Sequence, residues 1–467
     1  MEKINLNGIW WLPDAPEARI SGILNYDPNE GIFLELIGTF SNLISYDQNR
    51  SYDIVIGVST NGKMVTLYNC MEIKRSLSIP GVESSRIRAD LLLFGHHFEK
   101  IEDIKFDEIY IGYSLLDDWT NFKFYDIEYR KNEKDKMRSI SIHSREPKSY
   151  ETIYNEFKIS LISDLSMKGD LKNELLFKGS PYFKIEGKEN IYLTSIFRIN
   201  HLLKGIISLG VGKPVHNLFI HCRNNNIYEE YKGKKYYTSI ILYYKLKEYS
   251  EGIKIQTWNE MLFLFRDIND NFSRVINNWI SKYDNLKPVY NLYLATINKG
   301  EIFSEDLFLN VIHAIEAYHA KVYDAKYLSD DEYEEVYGML ISSIPQEIPE
   351  DFRSRVKHSL KYLNEYSLRK RLKEILRSIG DIHKNYIDND DEFINKIVNT
   401  RNYFTHYTDD LKEKAITDLV ELYYETQRLR IVLEICIMKE LGFTIENIKE
   451  IFKRTQKYEY LKIRNYQ

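Results

Sequence analysis

Up to about residue 250, apolar and polar residues alternate in short runs; beyond about residue 258 the apolar positions recur every three or four residues. The first pattern predicts half-buried strands and the second amphipathic helices. In "ARISGILNYDPNEGIFLELIG" two apolar-rich runs flank Asp27-Pro28-Asn29-Glu30-Gly31, a turn signal. "YDIVIGVSTNGKMVTLYNCMEI" repeats the device with Asn61-Gly62 between β-branched runs. "FDEIYIGYSL", "YFKIEGKENIYLTSIFRI" and "KYYTSIILYYKL" are further expected strands.

The helical signals are as specific. "WNEMLFLFRDINDNFSRVINNWISKY" predicts a helix over 258–283, with Lys287-Pro288 and Asn298-Lys299-Gly300 as punctuation. "SEDLFLNVIHAIEAYHAKVYD" opens on Ser304 as N-cap, with acids in its first turn. "SDDEYEEVYGMLISSIP" carries a capping box, Ser329 with Glu332. "PEDFRSRVKHSLKYLNEY" follows, then "SLRKRLKEILRSIG", closed by Gly380, then "DDEFINKIVNTRNYFTHY". A long helix from about Lys412 to Leu441 stops at Gly442. The expected architecture is a β-rich, sandwich-like domain over 1–285 followed by an all-α helical bundle over 300–467.

Composition narrows the class. The net charge of -5 means that any nucleic acid must be held by a local basic patch. The cysteines, Cys70, Cys222 and Cys436, form no CxxC pair and support neither a zinc ribbon nor a disulfide framework. No apolar run approaches the ~18 residues of a membrane span, and the N-terminus has no apolar signal region, so a cytoplasmic location without a membrane is expected.

The segment carrying chemistry is "RNYFTH", Arg401 to His406. Arginine and histidine also stand at similar spacing in Arg138–His143, Arg353–His358 and Arg377–His383, so spacing alone does not choose. In the last segment Ile394, Ile397, Val398 and Phe404 make an apolar stripe with Arg401 in its middle, where a guanidinium needs a partner or a ligand. Asn402 and His406 are i,i+4 neighbours at the edge. This set suits RNA cleavage without a metal. Histidine exchanges protons near neutral pH, and arginine grips the oxygens of a phosphorane-like transition state. An ordinary packing pair is the alternative.

"RNYFTH" resembles the R-N-x-x-x-H signature of the HEPN superfamily. Ala314-Ile315-Glu316-Ala317-Tyr318-His319 resembles the first HEPN helix of ApeA-like proteins. "LNGIWWLPDAPEARISGIL" and "IYIGYSLLDDWTNF" resemble the ApeA N-terminal domain. The resemblance implies an anti-phage endoribonuclease that needs no cofactor, acts on RNA with tRNA the expected substrate, and pairs as a homodimer through its HEPN domain. A phage-derived trigger would act through the β-rich domain. Arg401, Asn402 and His406 would be catalytic.

Glu316, mid-helix among apolar residues, is a candidate anchor for Arg401 or His406; a carboxylate paired elsewhere is the competing reading. His319 reads as structural. Arg353, Arg355, Lys357, Arg369, Lys370, Arg371 and Lys373 form a basic set able to hold an RNA backbone, or two solvated helix faces. The histidines of "GHH" (95–97) and "HNLFIHC" (216–222) read as strand or loop residues, with no metal pattern completed. "GVGK" (210–213) lacks the phosphate-loop frame. The other functional class left open is a non-catalytic binding protein, a β-sandwich module on a helical dimerisation domain.

Overall fold

The structure is a computed structural model that describes residues 1–40, 51–77, 80–131, 137–170, 174–246, 258–298 and 304–462. The chain divides into two compact units, 1–211 with 215–273 and 212–214 with 274–467. Of the expected punctuation, Lys299 and Gly300 lie outside the described residues.

The first unit opens with β1 (Ile4–Trp11), β2 (Ile20–Asp27), β3 (Gly31–Leu36), β4 (Ser51–Ser59), β5 (Met64–Ser76) and β6 (Ser84–Phe94). These run antiparallel in the order β6-β3-β2-β1-β4-β5, and β5 pairs back onto β6, so six strands close into a barrel. Trp10 fills its interior, fully buried, against Gly57; a Cβ at 57 would lie 2.2 Å from the indole ring, so only glycine fits there.

The rest of the unit contains β7 (Lys105–Tyr113), α1 (Leu116–Thr120), a separate β8–β9 hairpin (Tyr125–Lys131, Met137–Ser144), β10 (Ser149–Tyr154), β11 (Phe157–Asp170) and β12 (Glu174–Tyr192). After α2 (Leu193–Val211) come β13 (Asn217–Tyr231) and β14 (Lys234–Tyr244). The second half of β6 pairs with β14, which continues the barrel into an open sheet β14-β13-β7-β12-β11-β10. The β-rich expectation is thus realised mainly as one continuous twelve-stranded sheet, barrel and open part together, beside the small β8–β9 hairpin.

Two expectations in this unit are corrected. The run "YFKIEGKENIYLTSIFRI" is strand only to Tyr192; from Leu193 it is α2, whose Ile196, Ile199, Leu203, Ile206 and Ile207 are buried at helical spacing. The helix expected over 258–283 does not begin at 258. Three short 3₁₀ turns occupy Trp258–Glu260, Phe265–Asp267 and Asn269–Asn271, because Met261 to Phe265 are all buried and no single helix face could bury a continuous run.

The helix α3 runs instead from Phe272 to Asn298 and passes through Pro288. Proline removes one backbone donor, but Leu286, Val289, Tyr290 and Tyr293 are buried around it and hold the helix. The second unit continues with α4 (Ser304–Val322), α5 (Asp330–Ser342), α6 (Glu350–Lys361), α7 (Leu368–Ile379), α8 (Asp390–His406) and the turn α9 (Asp409–Lys412). It closes with α10 (Leu419–Leu441), α11 (Ile445–Arg454) and α12 (Gln456–Leu461). The Ser329–Glu332 capping box and the stops at Gly380 and Gly442 are present. The long helix starts at Leu419, not near Lys412, because the Asp418 carboxylate caps it by accepting from the Glu421 N–H at 2.8 Å.

A buried ionic cluster ties this unit together. The Glu434 carboxylate of α10 is fully buried and accepts from Tyr293 Oη (2.6 Å), Tyr458 Oη (2.7 Å), Lys457 Nζ (2.8 Å) and Arg430 Nε (3.1 Å). Burial alone would raise its pKa; Lys457 and Arg430 outweigh that and hold it at about 2. The helices α4 and α10 form the central packing pair, with α7 and α8 against them.

Candidate active site

The helix α8 begins with Asn389, whose side chain accepts from the N–H groups of Asp391 and Glu392, and three acids fill its first turn. Its buried face carries Phe393, Ile394, Ile397, Thr400 and Phe404. Around the helix Arg401 falls inside this face, between Ile394 and Ile397 and toward its Ile394 edge, with its own side chain half-buried. Thr400 is buried on the same face with its hydroxyl satisfied within the fold. It donates to Lys396 O at 2.8 Å and accepts from the Ile416 N–H at 2.9 Å. Thr400 was not legible as a site-positioning residue, yet it pins the chain beyond α8 back onto the helix that bears the motif.

At this edge the guanidinium is half-buried and engaged. Arg401 Nη2 donates to Glu316 Oε1 on α4 at 3.0 Å, and Nη1 donates to Asn402 Oδ1 at 3.3 Å. The Nε–H is buried without an acceptor. Glu316 is thus placed on Arg401 and not on His406. Its carbonyl also accepts from Arg371 Nη1 at 3.4 Å, which joins the start of α7 to the same turn of α4.

His406 ends α8 one turn beyond Asn402. It is exposed and, among the described residues, makes no hydrogen bond or ion pair. Tyr407 follows in the left-handed region, φ 51°, and its N–H closes the helix on Tyr403 O at 2.7 Å. A side chain there is uncommon and mildly strained. The arrangement offers a fixed cation, a neighbouring amide and an open imidazole at the end of one helix.

The basic set separates on inspection. Arg371 is buried, with Nε donating to Tyr366 O (2.8 Å) and Nη2 to Glu365 Oε2 (3.0 Å); its donors are spent on the fold. Lys370 lies over the rings of Tyr366 (3.4 Å) and Tyr327 (4.0 Å). Lys373 pairs with Asp391 at 2.6 Å, and Arg369 donates to Asn395. Arg353 pairs with Glu350 at 3.1 Å. Arg355 and Lys357 are exposed without an ion pair among the described residues.

His319, His97 and His216 have structural surroundings. His319 is fully buried, its Nε2 2.6 Å from Glu374 Oε2 and its ring stacked on Tyr323; burial lowers its pKa and Glu374 opposes that. His97 Nε2 lies 2.8 Å from Gly57 O, and His216 Nδ1 3.3 Å from Ser114 Oγ. No group of three or more potential metal ligands occurs among the described residues. No helix among them is long and apolar enough to cross a membrane.

Comparison with known proteins finds a family model for each part of the chain. The model for ApeA N-terminal domain 1 matches residues 5–279, and that for the ApeA-like HEPN domain matches residues 309–447, which include Glu316, Arg401, Asn402 and His406. No curated protein and no solved structure matches. With more than half of its length in the first domain and the second following in order, the chain belongs to the ApeA-like family of anti-phage HEPN proteins.

Proposed function

We propose that this chain is an endoribonuclease of anti-phage defence that cuts RNA, with tRNA as its substrate class, without using a metal ion. The observation that carries the reading is the Arg401 guanidinium fixed on Glu316 beside Asn402, with the open imidazole of His406 one turn further on. The ribose 2′-OH loses its proton to a histidine and attacks the adjacent phosphorus. The P–O5′ bond breaks, the leaving 5′-oxygen takes up a proton, and a 2′,3′-cyclic phosphate remains. The guanidinium stabilises the charge that builds on the phosphoryl oxygens, and Asn402 orients either the imidazole or one of those oxygens.

Each motif has one imidazole, whereas the reaction needs both a base and an acid. We therefore assign the active form to a homodimer in which two HEPN domains bring their motifs together. The β-rich domain restrains the nuclease and receives a phage-derived trigger. The test is incubation of the purified full-length protein with total tRNA, with and without EDTA, followed by end-group analysis. Cleavage indifferent to EDTA that leaves 2′,3′-cyclic phosphate ends is expected. Products with 3′-hydroxyl ends, or cleavage abolished by EDTA, would overturn the mechanism.

A further inference from the structure

Between α4 and α7 the chain makes a helical excursion, α5 and α6. Its neck is built firmly. The Tyr327 N–H donates to Asn364 O at 2.9 Å, the Tyr366 N–H donates to Ala325 O at 2.8 Å, and the Asn364 side chain bonds both the N–H and the carbonyl of Leu328. Beyond the neck, no residue from 326 to 363 is buried. Helices of 13 and 12 residues are marginal in water without a packed face. Yet Met339 (68% exposed) and Phe352 (56%) stand in solvent.

The charges of the two helices are opposite. The helix α5 holds Asp330, Asp331, Glu332, Glu334 and Glu335 and no base; α6 holds Arg353, Arg355, Lys357 and Lys361 against Glu350 and Asp351. These charges do not neutralise one another across the hairpin. Asp330 pairs with Lys326, Arg353 with Glu350, and Glu332 caps Ser329. Among the described residues, Glu334, Glu335, Arg355, Lys357 and Lys361 have no ion pair.

We infer that this hairpin is a self-docking arm whose occupant is the arm of a second copy of this chain. A two-fold operation lays each acidic α5 on the basic α6 of the other copy, so that one patch satisfies itself twice, and it buries Met339 and Phe352 in the process. A nucleic acid would meet the five acids of α5 as readily as the bases of α6. A partner of single charge would satisfy only one helix. The inference stands apart from the cleavage chemistry and holds whether or not His406 is catalytic.

The test reverses charge in the full-length protein and follows self-association by sedimentation, with circular dichroism to verify folding. Glu334→Lys with Glu335→Lys, and separately Arg355→Glu with Lys357→Glu, should each weaken association by about tenfold or remove its highest species. All four changes in one chain should restore it. So should an equimolar mixture of the two reversed proteins, because each then offers the other complementary arms. Unchanged association in both reversed proteins would overturn the inference. So would weakening that the mixture does not repair, which would place the charges' partners within one hairpin. A reversed α5 that gains RNA affinity with no change in association would make the arm a nucleic-acid surface instead.

Discussion

Two segments of the helical unit carry the same formula, an arginine followed at short spacing by a histidine, and the fold uses them in opposite ways. From Arg401 to His406 the helix is unbroken, the arginine is anchored at Glu316 and the histidine stays open to solvent. Between Arg377 and His383, Gly380 ends α7 at φ 66°, and the chain drops into a 3₁₀ turn. There His383 is buried, its Nδ1 2.6 Å from Gly380 O and its Nε2 3.2 Å from Asp390 Oδ1, while Arg377 is exposed. The first histidine stays open; the second is spent on the fold. A spacing carries chemical meaning only when the backbone between its ends keeps one geometry and neither side chain is claimed by a neighbour.

The sharpest break in this comparison is His406→Ala, which should lower RNA cleavage by roughly 10²–10⁴ and leave the melting temperature unchanged, since the ring has no partner to lose. Full activity in a folded His406→Ala protein would remove the distinction. Arg401→Lys should come next, at about 10²-fold, because an ammonium cannot make the planar two-point contact of a guanidinium. Its loss should fall on kcat more than on RNA affinity; an affinity loss alone would make Arg401 a binding residue. His383→Ala should do the converse. It removes two buried hydrogen bonds, so a loss of about 1–3 kcal/mol of stability is expected in denaturant unfolding, with cleavage retained by the molecules that stay folded. His358→Ala and His143→Ala, at exposed positions with the same spacing, should change neither quantity measurably.

The acid limb of stability sharpens the comparison at the level of the two units. In the β-rich unit burial lowers the pKa of His96 and His221, and burial with the nearby N-terminal amine and Lys204 brings His216 to about 4. Such groups stabilise the fold while neutral. That contribution is present above their ordinary value near 6.5 and is lost as the pH falls toward the folded value. Glu434 in the helical unit behaves as a depressed carboxylate, so its contribution holds above about 4.5 and disappears only as the pH approaches 2. In the helical unit burial lowers the pKa of His319, and Glu374 opposes that shift. Acid titration should therefore loosen the β-rich unit first, between about pH 6 and 4. Tryptophan fluorescence from Trp10, Trp11 and Trp119 should change before the bulk of the helical ellipticity. The reverse order would contradict this assignment.

Much of the site was legible because its signals are local. Period, caps and turn glycines mark α5, α7 and α8, and Arg401, Asn402 and His406 stand together on the one helix that their segment predicts. Glu316 stood out as a carboxylate among apolar neighbours, although only the fold decides that it meets Arg401. What could not be read depends on tertiary choice. Arg371 looks like its basic neighbours, yet its position under Glu316 and Tyr366 buries it. Thr400 is an unremarked polar residue until Ile416 returns to it. Pro288 argues locally for a break, and the buried Tyr290 and Tyr293 override it. In Leu193–Val211 a strand-like start hides a helix, because branched aliphatic residues suit either element until packing chooses.

The ionic cluster at Glu434 makes the last turns of the chain part of the foundation. Lys457 and Tyr458 reach it from α12, after the family's HEPN match has ended at residue 447. A protein ending at residue 447 would strand a carboxylate inside α10 with two of its four donors gone, a loss on the order of 3–5 kcal/mol. Anyone trimming this protein for crystals, or fusing a reporter to it, should cut or join beyond Leu461; a protease that clips between α11 and α12 would undo the helical unit without approaching His406.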